Sequence, residues 1–319
     1  MIEIYIEKND AGQRLDRFLK KYLKNAPLSV IYKIIRKDVK VNGKRAKEDY
    51  MLAEGDALAL YMEDVQLEAW TKKKANVKAK KQFTIVHEDD DMIIVNKPFG
   101  LLVHGDKSEK KDTLSNQVID YLIENGSYNP RTEKSFVPSP VHRLDRNTTG
   151  IVVFGKNAES LRSLSAKFRD EDGGISKFYY TIVHGRLDKE LHLRNKLLKD
   201  EQRNIGRVLP LDDERGKYIE TIVRPIYSSS KYSLVEIELI TGRSHQIRAH
   251  LSFAGHPLVG DTKYGGKEFV SKSGEWSLGK TTQALHAHKI LINDESYEAP
   301  LPEAWKTMQK EFFGKEIVK

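Results

Sequence analysis

Asp145 stands between two arginines in His142-Arg143-Leu144-Asp145-Arg146-Asn147-Thr148-Thr149-Gly150, directly before the apolar run Ile151-Val152-Val153-Phe154. Two permanent cations so close in sequence favour the charged form of the acid, so Asp145 is expected to stay ionised at neutral pH. A carboxylate held that way is a poor proton donor. It suits a nucleophile, or a base acting on an electrophilic or acidified centre. Taken alone, the same string also fits a surface ion-pair cluster, which contributes only about 0–1 kcal/mol.

Further segments supply what such a carboxylate would need. Lys177-Phe178-Tyr179-Tyr180-Thr181-Ile182-Val183 is β-branched and aromatic enough for a strand. Alternation then sends Tyr179 and Tyr180 to opposite faces, so one ring can line a cleft while the other packs elsewhere. An aromatic at a nucleic-acid site offers a stacking face worth ~1–3 kcal/mol per base; ordinary strand packing is the plainer reading. In Leu239-Ile240-Thr241-Gly242-Arg243-Ser244-His245-Gln246-Ile247-Arg248-Ala249-His250 a strand ends at Thr241-Gly242 and a helix follows. Arg243 and Arg248 would lie near its start, where backbone N–H groups also favour anions. They could bind a phosphate, or reach back to Asp145.

Metal chemistry is disfavoured by spacing. His286 and His288 would share a strand face, but there is no His-Glu-x-x-His, and His245 and His250 are five apart, which does not align on a helix. The glycine-rich dinucleotide fingerprint Gly-x-Gly-x-x-Gly is also missing from the sequence.

The elements that must position these residues can be read from periodicity. Between Gln13 and Lys24 the apolar residues Leu15, Phe18, Leu19, Tyr22 and Leu23 recur at helical spacing, with Arg14, Arg17, Lys21 and Lys24 opposite. A second helix after Pro27-Leu28, with Ser29 as its N-cap, carries Lys33, Arg36 and Lys37. Val39-Lys40-Val41-Asn42-Gly43-Lys44 reads as a strand entering an Asn-Gly turn, and Ala57 to Tyr61 as another strand. Residues 62–82, rich in lysine, read as a linker. From residue 83 onward strands (151–154, 178–183, 232–240) and helices (113–124, 158–168, 244–254) mix without strict alternation. This predicts an α+β fold with a mixed, largely antiparallel central sheet flanked by helices, preceded by a small α+β domain. The polar segment 188–217 has weak patterning and is expected as an insertion over the active site.

Composition bounds the rest. The 319 residues suffice for one large domain and a small module. With no cysteine there is no thiolate nucleophile and no disulfide framework, which suits a reducing cytoplasm. No apolar run approaches the ~18 residues of a membrane helix, and Met1 to Ile6 alternates like a strand instead of a signal peptide. The net charge of +8 is concentrated in residues 1–81, which hold 19 Lys/Arg against 12 Asp/Glu. A basic module on a near-neutral body is the footprint of a part that grips phosphates and presents a polyanion to a catalytic domain.

Taken together, the nonapeptide 142–150, Lys-x-Tyr at 177–179, Thr-Gly-Arg-Ser-His-Gln-Ile-Arg-x-His at 241–250, Gly-His-Pro-Leu-Val-Gly-Asp-x-x-Tyr-Gly at 255–265 and Asn-Lys-Pro-Phe-Gly at 96–100 resemble the large-subunit-type pseudouridine synthases. The match spans residues 83–319. Residues 12–61, two basic helices followed by Val-x-Val-Asn-Gly and a Gly-Asp turn, resemble an S4 RNA-binding domain, with Arg14, Arg17, Lys21, Lys33, Arg36, Lys37 and Lys44 as RNA-binding candidates. The resemblance implies isomerisation of uridine to pseudouridine in RNA by a cytoplasmic monomer, without metal or cofactor, on 23S-type ribosomal RNA in preference to transfer RNA. It implies Asp145 as the essential carboxylate, Arg248 as its partner and Tyr179 as the ring that stacks on uracil. Arg143 would enter the RNA stack as the uridine flips out. Arg146, Arg243 and His245 would contact substrate, and Ile290 would lie beside the base. Thr181 and Thr149 depart from the family's usual Ala and Ser, and neither position is catalytic.

Two rivals use the same residues differently: a non-catalytic, ribosome-associated RNA-binding protein, and a metal-dependent hydrolase built on the histidines.

Overall fold

A computed structural model describes residues 1–71, 80–106, 109–170, 173–266 and 283–318. In chain order the elements are β1 (Ile2–Tyr5), α1 (Leu15–Tyr22), α2 (Leu28–Lys37), β2 (Val39–Val41), β3 (Ala57–Leu60), α3 (Asp64–Thr71), β4 (Thr84–Glu88) and β5 (Met92–Lys97). Then come α4 (Leu114–Glu124), β6 (Ser139–Pro140), β7 (Thr149–Gly155), α5 (Ala158–Lys167), β8 (Ile175–His184), β9 (Leu191–Asp200), β10 (Ile205–Leu209), β11 (Lys217–Ser228) and β12 (Tyr232–Leu239). The chain ends with α6 (Gln246–Phe253), a 3-10 turn at Thr262–Tyr264, β13 (Leu285–Ile292), β14 (Glu295–Glu298) and α7 (Glu303–Phe313).

The basic, amphipathic α1 buries Leu15, Phe18 and Leu19 against α2's Ile31, Ile34 and Ile35 and a three-stranded sheet of order β1-β3-β2. Each such side chain, taken fully out of water, contributes roughly 1.5–3 kcal/mol. Asn42 and Gly43 have φ of 51° and 76°, the paired left-handed conformations of a type I′ turn. Ser29 does not cap α2, which begins one residue earlier after Pro27 and has no side-chain cap. Proline's fixed extended-side φ starts the helix without one. The linker reading also changes, since α3 occupies Asp64–Thr71; Lys72, Lys73, Lys74 and Lys78 lie outside the described residues.

The large sheet is mixed and mostly antiparallel, as the element pattern predicts. Its order is β10-β9-β11-β12-β8-β13-β7-β5-β4, with β14 on β13 and β6 on β7. Among the described strands one pair is parallel, β13 with β7, registered His286 to Thr149 and Ala287 to Gly150. That contact depends on Gly150. Its φ is 109°, and a Cβ there would come 2.2 Å from the Ala287 carbonyl oxygen. The main core joins Val95, Val152 and Phe154 of the sheet to Leu114, Val118 and Leu122 of α4 and to Ile247 and Leu251 of α6.

Segment 188–217 is regular in structure, and its Lys199 and Asn204 line the cleft. It forms the β9–β10 hairpin and leads into β11, with Lys199 paired to Gly206 and Leu197 to Val208. Alternate residues of this hairpin are half-buried on one side and charged on the other, a pattern diluted by Lys196, Lys199, Arg203 and Arg207.

Candidate active site

The loop 142–148 leaves β6 and enters β7 under several restraints. His142 Nε2 accepts the Val153 N–H at 3.2 Å, so the ring stands in for a strand carbonyl and carries its own proton on Nδ1. It stacks on Phe168, and burial, with the nearby charge of Lys177, pulls its pKa down to about 3. The imidazole is therefore neutral at neutral pH. From below, Lys97 is fully buried and its Nζ donates to the carbonyls of Pro98, Leu101 and Arg146, each at 2.9 Å. Burial draws the Lys97 pKa down to about 7, opposed by the charge of Asp145. The turn closes with Thr148 N–H donating to the Asp145 carbonyl at 3.1 Å.

Asp145 then projects into a cleft of about 850 Å³. Its partner is Arg248, in the first turn of α6, whose NH1 donates to Asp145 Oδ2 at 3.0 Å. The remaining edge of that guanidinium forks onto Asp261, Nε to Oδ2 at 2.6 Å and NH2 to Oδ1 at 2.9 Å. Its plane lies 5.1 Å from the Tyr264 ring centre. Burial opposes the charge on Arg248, yet the bonds and charges of Asp261 and Asp145 outweigh it and raise its pKa. The ion that orients Asp145 is thus itself fixed on two sides.

His245 precedes α6 with φ 57°, a left-handed conformation unusual for a residue with a Cβ. That turn brings its ring into the cleft wall, Nε2 3.7 Å from Asp145 Oδ2 and Nδ1 2.9 Å from the Tyr264 hydroxyl. The same hydroxyl accepts the Gly206 N–H at 2.7 Å. Burial lowers the His245 pKa, so it is mostly neutral at neutral pH. Gln246 ties the loop down: Oε1 accepts from Thr241 Oγ1 and Arg243 N, and Nε2 donates to the Glu220 carbonyl and Thr221 Oγ1.

Tyr179 is buried against the cleft, and burial together with the Asp145 charge raises its pKa. Tyr180 turns the other way and stacks on His288 with ring centres 3.6 Å apart. Strand alternation therefore separates the two tyrosines as expected. Arg143, Arg146, Arg243 and His245 line the cleft as well.

Two expectations change. Neither sequence-adjacent arginine forms an ion pair with Asp145 among the described residues; Arg146 lies 3.7 Å from Asp106, and Arg143 is exposed. The charge beside Asp145 is that of Arg248, the residue the family resemblance implies as its partner. Ile290 is buried behind the wall, paired with Lys177 and packed in a cluster with Ile151, Val153 and Leu164. Val141 and Phe168, which pack on that cluster, form the cleft surface in its place. Asp261, Lys97 and Gln246 carry no assignment in the sequence reading. Asp261 and Lys97 sat inside recognised motifs, so a buried acid near an essential arginine was the available signal.

The histidines do not converge. His286 bonds to Thr149 Oγ1 and the Ala299 carbonyl, whereas His288 bonds to Glu236 and stacks on Tyr180. His250 bridges Thr221 and Asn195. Among the described residues no three His, Asp or Glu side chains group as metal ligands, and no helix is long and apolar enough to cross a membrane.

The basic residues of the amino-terminal part lie mainly at its surface. Arg17, Lys33, Arg36, Lys37 and Lys44 are exposed. Arg14 pairs with Asp16 at 3.0 Å, and Lys21 donates to Gln13 Oε1 at 3.0 Å. This part is fastened to the large sheet's side of the molecule. Asp10, 1% exposed, accepts from Ser135 N and Oγ at 3.0 and 2.6 Å. Asn9 bridges Glu133 and the Ala158 N–H, and Arg162 NH1 donates to the Ala11 carbonyl.

Comparison with known proteins agrees with this site. The family profile described as RNA pseudouridylate synthase matches residues 91–253. The chain is 36% identical to the ribosomal large subunit pseudouridine synthase C of Vibrio vulnificus, covering 93% of this chain and 90% of that protein. It is 34% identical to the protein of that name in Escherichia coli K12, covering 95% and 94%. The fold resembles human RNA pseudouridylate synthase domain containing 4, with a TM-score of 0.57 and 21% identity over 70% of this chain and 91% of that one. With family profile, full-length relatives and fold in agreement, the chain belongs to the RNA pseudouridylate synthase family and is an RNA pseudouridine synthase, an isomerase.

Proposed function

We propose that this enzyme converts uridines of large-subunit, 23S-type ribosomal RNA to pseudouridine, with Asp145 as its essential carboxylate. The observation that carries the reading is the Asp145–Arg248–Asp261 array, in which a partly accessible carboxylate is oriented by a buried and doubly held arginine. The names of the full-length relatives support the choice of RNA. The N1–C1′ bond breaks, the uracil turns, and C5–C1′ forms. Attack by Asp145 at C1′ and removal of a ribose proton by Asp145 both require the carboxylate form. No cofactor enters the reaction.

In this reading Arg248 holds Asp145 in place and Tyr179 presents its ring to the uracil. Arg143, exposed at the cleft, enters the RNA stack as the uridine flips out, at an unstacking cost of a few kcal/mol. Arg146, Arg243 and His245 contact the flanking substrate. Residues 12–61 act as an S4-like RNA-binding domain, residues 62–82 connect it, and residues 83–319 form the catalytic domain. Arg14, Arg17, Lys21, Lys33, Arg36, Lys37 and Lys44 supply the phosphate contacts, and the enzyme works as a cytoplasmic monomer.

The direct test is to incubate the purified chain with unmodified large-subunit ribosomal RNA and, separately, with unmodified transfer RNA, and then map pseudouridines. Discrete new sites in the ribosomal RNA are expected. Sites confined to transfer RNA would overturn the substrate assignment.

A further inference from the structure

Cations from the two ends of the molecule meet where the amino-terminal part docks. Lys21 of α1 lies within electrostatic reach of Arg17 on its own helix and of Arg162 on α5; burial and these two cations lower its pKa, and Asp10 is the anion that opposes them. Asp10 is already committed to Ser135. Arg162 sits against Gly12, where a Cβ would come 3.4 Å from its NH2. Arg17, Lys21 and Arg162 are all exposed, so together they present a positive potential to an anion at the surface.

Helix α5 leads from this junction to the cleft. Asn157 caps its start beside the docked loop, and Phe168 and Arg169 at its far end line the cleft. Arg162 and Ala166 are spaced at i, i+4 on α5, Arg169 follows in the turn just past its end with its N–H donating to the Ala166 carbonyl, and all three are exposed. Arg169 Nε bonds back to the Ser165 carbonyl at 3.0 Å, leaving the guanidinium's outer edge toward solvent. Between the two arginines Ser163 and Ala166 are the fully exposed side chains, while Ser165, Lys167 and Phe168 are half-buried, and Lys167 is turned onto Asn293. The rise from 162 to 169 is about 10 Å, the length of about three stacked nucleotides at ~3.4 Å each. Exposed Asp170 marks the acidic border of this face.

We propose that the Arg162–Ala166 face of α5, continued by Arg169 just past the helix end, is a track for the RNA backbone, joining the basic surface of α1 to the catalytic cleft. It rests on the reading of the chain as an enzyme acting on large-subunit ribosomal RNA. The track holds the strand that runs from the docked amino-terminal part to the flipped uridine, and the Asp10–Ser135 contact sets its length.

The test uses the full chain and deproteinised large-subunit ribosomal RNA, with filter binding across roughly 50–300 mM salt. The Arg162→Gln/Arg169→Gln variant should lower the slope of log affinity against log salt by about 1.4–1.8 and weaken binding about tenfold or more near 0.1 M salt. Because Arg162 also touches Ala11, a second variant separates backbone contact from docking. Ala166→Glu leaves both arginines in place, suits a helix, and adds one negative charge to the track; it should weaken binding several-fold. Wild-type affinity and slope for both Ala166→Glu and Arg169→Gln would overturn the track. So would a loss confined to Arg162→Gln, which would assign that residue to docking alone. Failure of the parent enzyme to form pseudouridine in the same RNA would refute the substrate assignment instead, and the binding comparison would still decide the track.

Discussion

Arg248 reaches Asp145 with one nitrogen at 3.0 Å while two others grip Asp261 at 2.6 and 2.9 Å. Asp261 is 1% exposed, so the far side of this array is shielded from water while Asp145 faces the cleft. The order of these three groups sets how precisely the carboxylate meets its substrate.

Asp261→Asn removes the anchor of that guanidinium without changing shape. Breaking a buried pair costs roughly 3–5 kcal/mol, and a misplaced catalytic group can lose about 10²-fold in rate. We expect kcat to fall by that order with KM for RNA nearly unchanged. A KM increase with kcat preserved would place Asp261 in substrate binding instead.

Lys97→Met should loosen the loop that carries Asp145, because three buried carbonyls lose their shared donor. A loss of at least about 2 kcal/mol in urea unfolding is expected. The pH dependence follows from the Lys97 pKa of about 7 in the folded state, below its ordinary value. Between pH 7 and the ordinary lysine pKa the unfolded chain binds more protons, so this group makes the wild type gain stability as pH rises. The wild type should therefore gain on Lys97→Met by up to about 1.4 kcal/mol per pH unit in that window. A gap that shrinks with pH would contradict the assignment.

Gly150→Ala should be among the most damaging single-methyl additions in the chain. The new Cβ would collide with the backbone of Ala287 where β7 and β13 run parallel, and its φ of 109° strains any side chain. A loss above about 2 kcal/mol in unfolding free energy, read as a lower denaturant midpoint, is expected. Near-wild-type stability would mean that the two strands separate at no cost.

Lys33→Gln/Arg36→Gln/Lys37→Gln removes three exposed cations of α2. If these contact phosphates, the salt slope of RNA binding should fall by roughly 2–3. An unchanged slope would leave the surplus charge of the amino-terminal quarter without a nucleic-acid role.

Much of this architecture is local enough to read from sequence. The α1 stripe of Leu15, Phe18 and Leu19, the Asn42-Gly43 turn and the split between Tyr179 and Tyr180 follow from periodicity and turn chemistry. What escaped depends on tertiary contacts. Chain adjacency points to Arg143 and Arg146 as neighbours of Asp145, yet the side chain bonded to it is Arg248, 103 positions away, which motif resemblance pointed to and adjacency did not. Asp261 and Lys97 acquire meaning only when the loop 142–148 closes over them. Ile290 was expected at the base, but it sinks behind Val141 and Phe168. The β9–β10 hairpin was masked by its lysines and arginines, which face outward and blur the alternation of Leu191, Leu193 and Leu197.

The central claim is that an oriented, ionised Asp145 performs the chemistry while other groups hold the RNA. Asp145→Asn keeps the shape and the hydrogen bond from Arg248 but removes the charge. The decisive measurement is pseudouridine formation in large-subunit ribosomal RNA by this variant, alongside its affinity for the same RNA. The account predicts no detectable product with affinity within a few-fold of wild type. Product formation at a rate comparable to wild type would contradict it.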